Sequence, residues 1–207
     1  MVKLFRVLLM NCTERDEPSE VSFLSEFFKM MNLRYPKSIR FSPIDVSDKK
    51  QFLDLLRDKW ANVIHIAAHG YSEKFKSGRR GKRTLIYVKG EPVASEEIAE
   101  LPKIPRKLVS VSACLTSYRD MADAFLNIGV KHYIAPKSDI EWIDAALFFT
   151  IFYKRYLYDR VSFRRSFNYA RRYARLSKDF PEYWYNIMII HFFLLKQRCT
   201  YACEHEQ

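Results

Sequence analysis

Three short, almost unbroken apolar runs, Val7–Met10, Asn62–Ala68 and Leu108–Ser112, limit the folds open to this chain. Strands of that kind have no solvated face, so they belong in a sheet covered by helices on both sides. The intervening segments supply the helices. Val21–Leu33 places Phe23, Leu24, Phe27, Phe28 and Met31 at helical spacing. Ser47–Trp60 has Ser47 as a cap and Phe52, Leu55 and Leu56 on one face. Ser38–Ile44, Thr84–Val88 and Lys131–Ala135 read as further strands, Ser95–Glu97 and Asp120–Asn127 as further helices. From Ile140 to Leu195 the pattern is helical, divided near Asp159 and near Pro181. Strands alternating with helices predict an α/β sandwich around a mostly parallel sheet. No linker divides the 207 residues, so one domain is expected over 1–207, with 196–207 as a frayed tail.

Sixteen Phe and thirteen Tyr exclude a disordered chain, and four Cys in this length exclude a disulfide scaffold. The N-terminal apolar run is four residues long, too short for a signal peptide. Ala145–Phe149 and Ile187–Leu195 fall well short of the ~20 residues that cross a bilayer. A cytoplasmic address without a membrane partner is therefore expected, with Cys12, Cys114, Cys199 and Cys203 as reduced thiols. The net charge of +11 gathers in Ser72–Arg83 and along Arg160–Arg175. No helix-turn-helix, zinc-finger or RNA-recognition signature accompanies it, which argues against direct binding of nucleic acid. Cys199, Cys203 and His205 form one short ligand cluster at a chain end, where zinc needs about four ligands, so no metal site is expected.

The chemistry lies at two strand ends. Val63–Ala68 leads to His69-Gly70, and Leu108–Ala113 leads to Cys114. Open α/β sheets bind ligands beyond the carboxyl ends of their strands. If these strands are neighbours, a thiol and an imidazole meet: a nucleophile and the base that serves it. Gly70 allows the backbone to approach a substrate, and its amide with that of Cys114 could hold an oxyanion. The plainer alternative is a small buried Cys and a hydrogen-bonded His.

The two blocks also resemble a known family. His65-Ile66-Ala67-Ala68-His69-Gly70 and Val111-Ser112-Ala113-Cys114-Leu115-Thr116 resemble the blocks of caspase-like cysteine peptidases, and most of all those of the CHAT domain. Gly129–Ile134, Ala145–Phe149 with Phe152-Tyr153, Phe163–Ser166 and Pro181–Trp184 resemble the later blocks in the same order. The resemblance implies a caspase-like three-layer α/β/α sandwich. It implies Cys114 as nucleophile and His69 as general base and acid, with the main chain able to orient the imidazole and no cofactor needed. His65 is read as structural.

The same resemblance implies a regulated enzyme with a protein substrate and a bacterial or archaeal role in defence or signalling; because the family's usual repeat region is absent from these 207 residues, activation by a separate sensor protein is expected. The chain departs from the family pattern at Leu115, Ser117, Lys137 and Ser138, around the nucleophile and the substrate wall. Glu141 or Asp139 would select a basic P1 side chain and Lys137 an acidic one, so the sign of the pocket stays open; Asp120 is a further rival. The altered flanks keep a catalytically inactive interaction module as the alternative, and the charge keeps a nucleic-acid-associated protein behind it.

Overall fold

A computed structural model describes residues 4–36, 38–74, 82–104, 106, 108–174 and 192–196. Its main sheet has the order β2-β1-β3-β7-β8-β9. The strands are β1 (Phe5–Asn11), β2 (Ile39–Asp45), β3 (Val63–Ala67), β7 (Leu108–Ser112), β8 (His132–Pro136) and β9 (Phe192–Lys196). The first five are parallel, and β9 runs antiparallel to β8. A second, three-stranded antiparallel sheet holds β4 (His69–Lys74), β5 (Lys82–Val88) and β6 (Glu91–Ala94).

The period of two along each strand divides the core. Leu8, Met10, Ile64, Ile66, Val109 and Val111 face α2 (Lys49–Arg57), α3 (Ser95–Ala99) and α4 (Arg119–Asn127). Val7, Leu9, Val63, Ala67 and Leu108 face α1 (Glu20–Arg34), α5 (Trp142–Tyr153) and α6 (Phe163–Tyr173). The result is the three-layer α/β/α sandwich with a mostly parallel sheet that the sequence predicts. Among the described residues no helix is long and apolar enough to cross a membrane.

Local details differ from the sequence reading. Asp48, not Ser47, caps α2: its carboxylate accepts the Gln51 amide at 2.7 Å, while Ser47 donates its own amide to the Gln51 side chain. The run ending in His69 breaks at Ala68, and His69 opens β4 in the other sheet. Within the stretch read as helical to Leu195, Phe192–Lys196 is a strand whose backbone pairs with β8. A π-helical turn, Lys154–Tyr158, extends α5. The basic segment 75–81, the Pro181–Trp184 block and the tail with Cys199, Cys203 and His205 lie outside the described residues.

One buried cation ties the loops at the amino ends of the strands. The Arg106 guanidinium donates to the carbonyls of Ala61, Leu56 and Asp58. Burial lowers its pKa to about 10, with Asp58 opposing the shift.

Candidate active site

The register of the two central strands aligns the ends that lead to the predicted pair. Each residue of β3 is paired with the residue 45 positions later in β7, from Val63 with Leu108 to Ala67 with Ser112. His69 and Cys114 keep the same separation two residues beyond the last pair. Both line a cleft of about 220 Å³ at the carboxyl edge of the sheet, with Thr13, Glu17, Glu20 and Glu141 among its other walls.

Gly70 is set directly on the backbone of Cys114. A Cβ at this position would lie 2.1 Å from the Cys114 carbonyl oxygen and 2.8 Å from its nitrogen. The two main chains therefore touch where the oxyanion donors were expected. Leu115, the next residue, has φ +62°. That left-handed conformation costs a branched L-residue roughly 1–2 kcal/mol, and such strain collects at functional turns. The turn is held by Thr116, whose hydroxyl donates to the Ala113 carbonyl at 2.6 Å, and by Tyr133, whose hydroxyl donates to the Thr116 carbonyl at 2.8 Å.

The thiol is half-buried and engaged. Its sulfur accepts the Ile140 amide at 3.4 Å and lies 3.9 Å from the Ile140 carbonyl. Burial pushes the thiol pKa above its usual range; the Ile140 amide pulls it back in part, and the charge and hydrogen bond of Asp139 push it up again. The resting protein therefore holds Cys114 as the protonated thiol at neutral pH. Alkylation of Cys114 by iodoacetamide, followed on its tryptic peptide, should be slower at pH 7 than that of a free cysteine, and should still be rising at pH 9. Asp139→Asn should speed it. A rate already at its plateau by pH 7 would contradict this picture. Cys12 is almost fully buried, which pushes its thiol up further.

His69 is exposed, and its Nε2 lies 2.7 Å from Glu17 Oε2. Sequence reasoning passed over Glu17, which lies in the loop after β1, 52 residues before the histidine it touches. The only local hint was the acidic run Glu14-Arg15-Asp16-Glu17 closed by Pro18.

The other candidates separate. Glu141 lines the cleft, and Asp139 acts on the thiol. Lys137 is not among the lining residues. Asp120 is occupied elsewhere, accepting the amide and hydroxyl of Thr84 at 2.6 and 2.7 Å and the Ser95 hydroxyl at 3.2 Å. His65 is fully buried behind the cleft. Its Nε2 meets Glu20 at 3.1 Å, and its Nδ1 meets the Tyr153 and Ser110 hydroxyls at 2.9 and 3.2 Å.

The family model of the CHAT domain matches residues 15–186. No curated protein matches the chain. Among solved structures, the separase–securin complex of Saccharomyces cerevisiae aligns over 84% of the chain at 14% identity and a TM-score of 0.50. The chain spans 11% of that protein. Protein GSU0716 of Geobacter sulfurreducens aligns over 93% of both chains at 9% identity and a TM-score of 0.49. The separase likeness supports a caspase-like fold.

Proposed function

Because the chain belongs to the CHAT domain family, whose caspase-like fold houses peptidases, we propose that it is a cysteine endopeptidase with His69 and Cys114 as its dyad. The observation that carries this reading is their convergence on one cleft, with Gly70 packed against the backbone of Cys114.

The steps follow from the chemistry of the two side chains. The Cys114 thiol gives its proton to His69, and the sulfur attacks the scissile carbonyl carbon. The oxyanion that forms is met by the amides of Cys114 and Gly70. As the C–N bond breaks, His69 returns the proton to the departing amine, leaving a thioester. His69 then takes a proton from water, whose oxygen attacks the thioester carbonyl; as the C–S bond breaks and the acid leaves, that proton returns from His69 to the sulfur and restores the thiol.

The raised thiol pKa supports regulation. A nucleophile held as thiol by burial and by Asp139, against the pull of the Ile140 amide, waits for a change in the segment between β8 and α5. We assign that change to a separate activating protein, and the substrate to a protein whose P1 residue enters beside Glu141 or Asp139. The same resting state is what favours the second reading, an inactive module that binds partners through this fold.

The test is to incubate the protein and its Cys114→Ala variant with a diverse peptide mixture and read the products by mass spectrometry. Cuts made by the wild type and missing from the variant are expected, at least 10³-fold above the variant. Equal cutting by both would remove the assignment of Cys114. No cutting by either, with cell extract supplied as a source of activator, would favour the inactive module.

A further inference from the structure

We propose that Glu17 is the positioning residue for His69, and that Nδ1 is therefore the ring nitrogen that moves the proton. The inference rests on the peptidase reading and adds an atom-level assignment to it.

The contact is built rather than incidental. Glu17 Oε2 accepts from His69 Nε2 at 2.7 Å and from the Glu14 amide at 3.1 Å. The Glu17 amide in turn donates to the Glu14 carbonyl at 3.2 Å. Pro18 follows at once, and a proline disfavours the helical region for the residue before it. The carboxylate is thus fixed on its own turn.

That turn is fastened to the unit that carries His69. The Cys12 amide donates to the Ala67 carbonyl at 2.8 Å, at the end of β3. On the other side, Lys89 lies in the turn between β5 and β6. Its amide donates to the Cys12 carbonyl at 2.9 Å and its ammonium to the Thr13 carbonyl at 2.5 Å. Since β4, led by His69, pairs with β5, the small sheet holds both the imidazole and the loop that presents its partner.

The protonation pattern follows. The hydrogen bond from His69 is the largest influence lowering the Glu17 pKa, with the Glu14 amide next. An ionised carboxylate only accepts, so Nε2 must carry the proton. A neutral imidazole has one N–H, which leaves the lone pair on Nδ1. The thiol proton goes to Nδ1, and Nε2–H stays on Glu17 throughout. The side chains of His69 and Glu17 are 62% and 41% exposed, so the charge itself contributes little. What Glu17 supplies is the tautomer and the ring orientation.

The test uses the full chain with ¹⁵N-labelled histidine rings and the variants Glu17→Ala, Glu17→Gln and Glu17→Asp. Ring-nitrogen NMR, with His69 assigned by its loss in His69→Asn, should give the Nε2–H tautomer for the neutral ring in wild type. Glu17→Ala should give a mixture, and Glu17→Gln, whose side-chain oxygen still accepts, should restore Nε2–H. On a peptide cut by wild type, Glu17→Ala should lower kcat ~30-fold with KM within about twofold, a part of the 10²–10⁴ that an acid–base group contributes. Glu17→Gln should recover most of it. An Nδ1–H ring in wild type, or a tautomer and kcat untouched by Glu17→Ala, would overturn the assignment. A wild type that cuts nothing would count against the peptidase reading, while the tautomer would still decide the role of Glu17.

Discussion

Gly70→Ala should lower stability by about 3 kcal/mol and cut peptidase activity at least ~100-fold, although it adds a single methyl group. The reason is contact, not conformational freedom. The new Cβ would fall 2.1 Å from the Cys114 oxygen, 2.8 Å from the Cys114 nitrogen and 2.9 Å from the Ala113 carbonyl carbon. All three atoms are main chain at the end of a central strand buried along its whole length, so no side chain can swing aside. Relief requires the start of β4 to move off the Cys114 turn by about an ångström. Overpacking of this kind typically costs 1–3 kcal/mol, and backbone on both sides places this case at the top of that range. The same displacement carries His69 and the Gly70 amide away from the sulfur, and misplacement by about 1 Å costs on the order of 10² in rate. Urea denaturation gives the first quantity and kcat/KM the second. An alanine variant with wild-type values of both would show that the two main chains do not meet as described.

How far the sequence foretold this site depends on what each residue answers to. The strands beneath the cleft were legible because β1, β3 and β7 are buried on both faces, which leaves continuous apolar runs that solvent-facing strands do not show. That His69 and Cys114 border one cleft was legible because each follows such a run. Strand β4 was not. His-Gly-Tyr-Ser-Glu-Lys has neither apolar alternation nor β-branched residues, and it is extended because β5 pairs with it. Phe192–Lys196 is apolar enough for either state, and tertiary pairing decides between them. Glu17 and Asp120 were illegible for another reason. A carboxylate's partner depends on which loop folds over which edge, and a separation of 52 residues for Glu17, or 36 for Asp120 and Thr84, leaves no trace in local pattern. The buried setting of His65 was legible in outline, since a histidine inside an apolar run must find polar company. That the company is Glu20, Ser110 and Tyr153 required the fold.

That buried group sets the second large effect: His65→Leu should destabilise the protein by roughly 3–5 kcal/mol, while His65→Leu combined with Glu20→Met should recover most of the loss. Glu20 is the first residue of α1, behind the Ser19 cap, and only 3% exposed. Its carboxyl reaches His65 Nε2 at 3.1 Å. Leucine at 65 leaves that carboxyl buried without its partner, and an unpaired buried acid is among the costliest defects a core can carry. Removing both ends takes the defect away. The remaining two polar groups do not depend on the histidine: the Ser110 and Tyr153 hydroxyls hydrogen-bond each other at 2.5 Å, and Ser110 also donates to the Ile64 carbonyl at 3.1 Å. Phe149 packs edge-on against the imidazole at 4.6 Å and would meet a leucine instead. In a double-mutant cycle read by urea denaturation, the two substitutions should therefore couple favourably by at least about 2 kcal/mol. If their costs simply add, the pair is not what makes His65 indispensable, and the loss in the single variant belongs to packing against Phe149 and Tyr153. If they couple as expected, the wall shared by the core and the cleft beside Cys114 is held by a polar pair, because Glu20 borders both.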